Sequence, residues 1–584
     1  MNGKKHSRFS TVSKLWRYIS AHKWRFIIAI ILTIISNLLA LLGPILSGYA
    51  IDAASGGIDA VNFERVFFYC KLMALFYVIS AILSYILTVL MSNISRKIVF
   101  QMREDVFNKL SELPISYFDK NKTGDIISKI TYDIDTVNAS LSGDLIQIFT
   151  SIITIIGSLI MMIVISPVMV SIFILTIPLS IFLTRFMVKR FRPLFRKRSL
   201  KAGELNGFVE EIIAGGATIK SYNREESMIL RFDKKNEETI EAYYEADANS
   251  SMTGPTVNFI NNISLSLIST LGAFLFLNGK ISLGNLSSFV LYSRKFSGPI
   301  NEAANIIGEF QSAFSAAERV FDLLEEEVEL KDVENAVNLS KVSGDISVNE
   351  VSFGYTEDNI TIKNLSFEAP KGSLIAVVGP TGAGKTTLIN LLMRFYDTNA
   401  GQILLDRHEI RSLKRKGLRL AYSMVLQDTW LFNGTIYENL VYGNENSTKE
   451  EVENVAKTVK IHNYIMSLPE GYDTILNGEG VNISQGQKQL LTIARAMLMN
   501  TEMLILDEAT SNVDTRTEKQ IQDAMRKLMQ DKTCFVIAHR LSTIKNADTI
   551  IVIDKGEIIE KGNHKELIEL NGLYAKLHSS QFET

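Results

Sequence analysis

The chain has 584 residues, 47% of them apolar and 21% charged, with a net charge of −2. That length exceeds one compact core, and the near-neutral balance carries no electrostatic footprint for nucleic acid. The two cysteines, Cys70 and Cys534, fall in an apolar stretch and in a soluble-looking half, which excludes a disulfide framework.

Residues 1–24 read as a cytoplasmic N-terminal segment. Lys4, Lys5, Arg8, Lys14, Arg17, Lys23 and Arg25 all precede the first apolar run, with no Asp or Glu among them. That run is too long for a signal core and has no small-residue cleavage site, so it is expected to stay as a membrane span. Crossing the hydrocarbon core takes about 20 apolar residues. Phe26–Ile51 and Leu72–Ser95 each qualify without a charge. Leu145–Thr184 is uncharged throughout and is long enough for two spans joined at Ser166-Pro167. Ala248–Gly279 supplies a fifth. A sixth, about Ile281–Phe314, is less pure and carries Arg294, Lys295, Glu302 and Glu309. Charge inside a span is costly and often marks a pathway. A snorkelling or wet-cavity position explains Arg294, Lys295 and Glu302 without any substrate contact.

Basic residues set the orientation. Segments 96–144 and 185–247 are Lys/Arg-rich, the latter opening with Arg185, Lys189, Arg190 and Arg192. The opposite connections, including 52–71, are short or poor in basic residues. Both termini and the soluble half are therefore expected in the cytoplasm. The two long connections have heptad-like spacing, so their helices should run on beyond the membrane. Breaks at Ser116-Tyr117-Phe118-Asp119, at Thr123-Gly124-Asp125 and at Gly215-Gly216-Ala217 would seat short crossing pieces, natural docking points for an engine domain. The expected boundaries are 25–320 for this membrane domain, 321–344 for an acidic, solvated linker beginning near Glu325-Glu326-Glu327, and 345–580 for the domain that follows.

In that last domain, Leu374–Val378 reads as a buried strand. Gly379-Pro380-Thr381-Gly382-Ala383-Gly384-Lys385-Thr386-Thr387 follows, then a helix pattern. This is a phosphate loop in strand–loop–helix context. Glycines let backbone N–H groups converge on phosphate oxygens, and the helix dipole adds attraction. Lys385 would neutralise the β- and γ-phosphates of ATP, and the Thr386 hydroxyl would ligate Mg²⁺. A second buried run, Met503–Leu506, delivers Asp507 as a Mg²⁺ partner. Glu508 then stands where a general base would polarise the attacking water.

Between these lies Ile483-Ser484-Gln485-Gly486-Gln487, ahead of a helix pattern. Here the sequence resembles the ATP-binding-cassette superfamily, whose L-S-G-G-Q signature it echoes. The resemblance covers nearly the whole chain. It implies an all-α six-span exporter domain of type 1, followed by an α/β nucleotide-binding domain. It implies that Ser484, Gly486 and Gln487 close on ATP held by a partner domain, and that Tyr355 stacks on adenine. Gln427 would reach Mg²⁺ and the attacking water, Ser511–Asp514 would form the crossing loop, and His539 would touch the γ-phosphate. The membrane half also carries family-like segments: Phe118-Asp119, Ile219–Glu225 and Ala316–Phe321.

Two departures stand out. Gln485 replaces the first signature glycine, and Thr474–Gly480 follows the usual T-x-V-G-E-x-G loosely. Both resemble exporters that work as heterodimers, which favours a different second half-transporter over a homodimer. The implied activity is ATP-driven efflux across the cell membrane of an amphipathic substrate such as a drug, lipid or peptide. The rivals are a membrane-anchored sensor ATPase without transport, and a lipid flippase.

Overall fold

The computed structural model describes residues 8–55, 61–339, 341–356, 359–427, 429–476, 483–507, 514–537 and 544–580. The chain divides into two compact units, Met1–Glu112 with Lys122–Glu327, and Leu113–Asn121 with Val328–Thr584.

The first unit is helical throughout its described residues. Among the described residues, five helices are long and apolar enough to cross a membrane: Lys23–Ala54, Phe63–Glu112, Thr123–Ile165, Pro167–Ala214 and Glu225–Leu277. A sixth, Leu283–Glu325, carries the charges expected of it. Apolar side chains point outward in a way water would not tolerate: Val164 is 71% exposed, Ile174 76% and Leu277 82%. In lipid such faces are the solvated ones, and intrahelical bonding leaves no backbone group unpaired. The uncharged run Leu145–Thr184 breaks where the sequence places the break. Ser166 is extended (φ −161°, ψ 103°), and Pro167 opens the next helix, a position where its missing N–H costs nothing. At about 1.5 Å per residue, the 50-residue Phe63–Glu112 helix outreaches a bilayer core by far. The expected breaks hold six-residue helices, Ile115–Lys120, Thr123–Ser128 and Gly216–Ser221.

Small residues bring the first and sixth spans together. A Cβ on Gly284 would sit 2.0 Å from the Gly48 carbonyl oxygen, so the two backbones touch there. Asp52 then caps the start of the sixth helix, accepting from the Ser282 hydroxyl at 2.6 Å and the Gly284 N–H at 2.7 Å. Pro44, inside the first span, has no N–H to offer the carbonyl four residues back. That carbonyl, Ala40, accepts from Lys295 Nζ at 3.2 Å. Tyr292 donates to the Leu41 carbonyl at 2.6 Å and Ser288 to that of Pro44 at 2.9 Å. Lys295 thus supplies the donor that Pro44 cannot. Arg294, one residue away, is exposed, and the Glu302 side chain lies outside the described ones. Near the end of the sixth helix, Arg319 grips the buried carboxylate of Asp133, which is 2% exposed. Asp133 ends one of two π-helical turns in the third span.

The second unit is built on two sheets. Strands β1 (Ile346–Thr356), β2 (Asn359–Ala369), β4 (Ala400–Leu405) and β5 (His408–Glu409) form an antiparallel sheet in the order β2-β1-β4-β5. Strands β3 (Leu374–Val378), β6 (Tyr422–Val425), β9 (Met503–Asp507), β10 (Thr533–Ile537), β11 (Thr549–Asp554) and β12 (Glu557–Gly562) form the other, ordered β12-β11-β3-β10-β9-β6. All but β12 run parallel in it. The short β7 (Gly434–Thr435) pairs with β8 (Ile475–Leu476).

The parallel sheet is buried on both faces, as its unbroken apolar strands dictate. Successive side chains alternate between two cores. Ile375, Val377, Phe535 and Ile537 pack with the antiparallel sheet and the helix Lys385–Leu392. Ala376, Val378, Cys534 and Val536 pack with the helix Gln485–Met499. Phe535 is fully buried, and its truncation to alanine is expected to cost about 3–5 kcal/mol. Burial also pushes the Cys534 thiol up to about 12. Neither cysteine is in a disulfide.

The acidic connector is less solvated than the sequence suggested. Glu329 pairs with Arg419, while Asp332 pairs with Arg415 at 3.3 Å. Glu325 ends the sixth helix and pairs with Lys14 within the helical unit.

Candidate functional site

Three parallel strands deliver their carboxyl ends to one edge of the sheet. β3 ends at Val378 and leads into Gly379. β9 ends in Asp507, and β6 leads through Leu426 to Gln427. In register, Val425 pairs with Leu506, and Asp507 with Ile537 of β10. β10 in turn pairs Ile537 with Val377. The edge where open α/β sheets bind ligands therefore collects the phosphate loop, Asp507 and Gln427.

The loop has a shape that only glycine permits at two points. A Cβ on Gly379 would lie 2.1 Å from the Ile553 carbonyl oxygen. Gly384, with φ +107°, caps the Lys385–Leu392 helix, and a Cβ there would strike Ile362 at 2.8 Å. The helix Lys385–Leu392 starts directly after the loop, so its N-terminal N–H groups are available to an anion bound there. Lys385 is only 9% exposed, and its ammonium folds back to donate to the Gly379 carbonyl at 2.7 Å and the Pro380 carbonyl at 2.9 Å. Burial pushes its pKa down, and the negative charge of Asp507 works against that shift. Thr386 is exposed at the first helical turn, whereas Thr387 is buried. Thr386 and Asp507 are hard oxygen donors of the kind that suits Mg²⁺. Thr381 and Gly382 are exposed on the loop and Ala383 is buried beneath it.

Tyr355, on β1, is 41% exposed. Its hydroxyl sits 3.2 Å from Thr387 Oγ1 and accepts from Asn390 at 3.3 Å. The structure therefore brings the expected adenine-stacking ring onto the helix that follows the phosphate loop. Ser484 caps the helix Gln485–Met499 in a reciprocal capping box. Its hydroxyl accepts from the Gln487 N–H at 3.3 Å, and its own N–H donates to Gln487 Oε1 at 2.9 Å. Gly486 is buried in the first turn. The non-standard Gln485 donates to Thr429 Oγ1 at 3.2 Å, reaching the loop that carries Gln427. Asp514 caps the next helix through the Arg516 and Thr517 N–H groups. Those hydrogen bonds, Thr517's first, hold its carboxyl below the usual range. Glu508, His539, residues 511–513 of the expected crossing loop and residues 477–480 of the loosely matching segment lie outside the described residues.

Two groups were missed from sequence. Arg495, on the signature helix, donates to the Asn439 carbonyl at 2.8 Å and the Trp430 carbonyl at 3.1 Å, under the stacked rings of Phe432 and Tyr442. It orders the loop beyond Gln427, although no motif singles it out. Tyr396 stands between Tyr355 and the segment Leu113–Asn121. Its signal, an aromatic shortly after the phosphate-loop helix, is too common to mark a function.

Comparison with known proteins agrees with this arrangement. The family described as "ABC transporter transmembrane region" matches residues 26–300, and "ABC transporter" matches 362–511. An uncharacterized ABC transporter ATP-binding protein of Bacillus subtilis, YfiC, is 42% identical over 98% of this chain and 94% of its own length. A fatty acid ABC transporter ATP-binding/permease protein of Mycobacterium bovis is 40% identical over 89% of this chain and 82% of its own. Among solved structures, a bacterial Atm1-family ABC exporter with ATP bound superposes with a TM-score of 0.74 at 27% identity, covering 96% of this chain and 98% of that one.

Proposed function

The chain belongs to the ABC transporter family and is an ATP-hydrolysing, multi-pass membrane exporter; from that premise we propose how its own residues perform the work and on what class of cargo. ABC exporters act as dimers. The observation that carries the site is the edge where β3, β9 and β6 present the phosphate loop, Asp507 and Gln427 together.

In this reading the ammonium of Lys385 leaves the Gly379 and Pro380 carbonyls for the β- and γ-phosphates of ATP. The two neutral carbonyl acceptors are given up for charged phosphate oxygens, whose hydrogen bonds to an ammonium are roughly twice as strong. Backbone N–H groups from Gly379 to Thr387 cradle the phosphates, and Tyr355 stacks on the base. Thr386, Asp507 and Gln427 would hold Mg²⁺, which when bound would supply positive charge to offset that of the phosphates. Ser484, Gly486 and Gln487 close on ATP held by the second half-transporter; the Ser484 hydroxyl can donate its O–H to a phosphate oxygen while still accepting from the Gln487 N–H. Glu508 polarises the attacking water, and His539 contacts the γ-phosphate. Closure follows because ATP binds the closed pair more tightly than the open one. The short helices Ile115–Lys120 and Gly216–Ser221 pass that closure to the spans, with both termini on the cytoplasmic side. The domain limits 25–320 and 345–580 express this division of labour.

The cargo is an amphipathic, lipid-like molecule, a class supported by the fatty acid transporter among the relatives. Gln485 and the loose Thr474–Gly480 segment support a heterodimer. Expressing this chain alone tests the pairing. A heterodimer half should show little ATPase activity until its partner is added, and robust cooperative turnover from the pure chain would refute it. Uptake of a fluorescent fatty acid into inside-out vesicles separates an exporter from a sensor ATPase, which would hydrolyse ATP and move nothing.

A further inference from the structure

The ring of Tyr355 is one corner of a closed aromatic triangle. Its centroid lies 5.1 Å from Phe353 (82° between planes) and 5.1 Å from Tyr396 (89°). Phe353 and Tyr396 lie 5.4 Å apart at 59°. The two edge-to-face contacts made by Tyr355 are attractive and shape-specific, so tilting its ring disturbs its packing on both neighbours. Phe353 is anchored in the core at 4% exposure, which leaves Tyr355 and Tyr396 as the corners able to move together.

Tyr396 carries a polar handle in the opposite direction. Its hydroxyl donates to Asp119 Oδ2 at 2.5 Å. Asp119 belongs to the six-residue helix Ile115–Lys120, part of the segment Leu113–Asn121 that folds within the nucleotide unit. Tyr117 of that helix is buried, so the segment is seated and not loosely attached. Burial first, then the bond and charge of Asp119, raise the Tyr396 pKa above its usual value. The hydroxyl therefore keeps its proton, and the bond persists, at any physiological pH.

We propose that Tyr396 is a positioning residue through which the helix Ile115–Lys120 senses occupancy of the nucleobase site, separately from the γ-phosphate. The proposal rests on the reading of Tyr355 as the adenine platform. A base stacked on the exposed face of Tyr355 fixes that ring. The triangle fixes Tyr396, and Tyr396 fixes Asp119. Nothing in this chain of contacts needs the γ-phosphate, so ADP and ATP should act alike on the short helix. By linkage, movement of Asp119 alters nucleotide affinity by the same factor. The first short helix would thus report that a nucleotide is present, while phosphate-dependent closure reports which nucleotide it is.

Lys120 and Lys122 flank the end of this helix and are both exposed, which makes tryptic cleavage there a direct readout of its seating. The full-length protein, with its partner where one is required, is reconstituted in nanodiscs with EDTA to prevent hydrolysis. Cleavage rates at Lys120 and Lys122 are followed by mass spectrometry under saturating ATP, ADP or tripolyphosphate. Binding of a fluorescent methylanthraniloyl-ATP is measured in parallel. Expected are a slowing of about fivefold with ATP and ADP alike and none with tripolyphosphate. Tyr396→Phe keeps the triangle but cuts the bond. It should still bind the fluorescent nucleotide, weakened by no more than about the fivefold that linkage allows, while its cleavage no longer responds, and Asp119→Ala should behave the same way. Equal protection by tripolyphosphate, an unchanged response in Tyr396→Phe, or no nucleotide response in the wild type would each overturn the proposal. Failure of the wild type to bind the fluorescent nucleotide would instead overturn the nucleotide-site reading beneath it.

Discussion

Lys385 in the nucleotide unit and Lys295 in the membrane unit look alike at first: each is a largely covered ammonium that donates to backbone carbonyls. The carbonyls tell them apart. Lys385 rests on Gly379 and Pro380, in a loop whose N–H groups and helix N-terminus are arranged to receive an anion. Lys295 rests on Ala40, a carbonyl that has lost its helical partner because Pro44 follows four residues later. In the proposed reading, one cation is held in reserve until a phosphate recruits it. The other supplies the donor that a proline withholds from a neighbouring helix. A charge in a costly place is therefore not by itself a binding site; what its partner lacks decides the matter.

The comparison is broken most severely at the nucleotide site. Lys385→Met is expected to abolish ATP binding and turnover, since the phosphates lose their main cation. Glu508→Gln should lower hydrolysis by more than about 100-fold, within the range for a lost general base, while ATP remains bound. Near-normal turnover of Glu508→Gln in a phosphate-release assay would refute its assigned role. Lys295→Met should leave ATP hydrolysis nearly intact. If it instead stopped turnover, Lys295 would belong to the working machinery and the contrast would fail.

A smaller effect sharpens the contrast. In Lys295→Met the half-buried Ala40 carbonyl is left without the Lys295 donor, which costs up to about 1–3 kcal/mol. The thermal midpoint of the protein in detergent should fall. Pro44→Ala restores an N–H to that carbonyl, so the double variant Pro44→Ala/Lys295→Met should recover most of the loss. A double-mutant cycle reads this directly as non-additivity. Strictly additive effects would mean that the Lys295–Ala40 bond contributes nothing to stability.

How much of this was legible in the sequence follows the same division. The strand–loop–helix around Gly379–Thr387 was plain because its spacing is local and its glycines answer to backbone geometry. The break at Ser166-Pro167 was plain for the same reason. Lys295 was visible as a charge in an apolar stretch, but its rotation about the helix axis is set by packing of the sixth helix against Gly48 and Pro44, in the first span and far away in the chain. The bond between Asp119 and Tyr396 spans 277 residues and has no local signature. The acidic connector read as solvated because Arg415 and Arg419, which pair with it, lie well beyond the phosphate loop, where no local pattern links them to Asp332 and Glu329.

The smallest effect leaves function untouched and tests how the two regions face the membrane. Cys70 is exposed near the start of the Phe63–Glu112 helix, and Cys534 is 1% exposed in β10 with its thiol pushed up to about 12. A maleimide reacts with the thiolate, so at neutral pH Cys534 stays silent in the folded protein whichever side it faces. The wild-type chain thus carries a single usable reporter without engineering. The scarcity of basic residues in 52–71 predicts a position for that connection on the membrane side opposite the nucleotide unit. A membrane-impermeant maleimide should therefore label intact cells at Cys70, and Cys70→Ser should remove the signal. Labelling only after the membrane is permeabilised would put Cys70 on the same side as the nucleotide unit and reverse the assigned orientation.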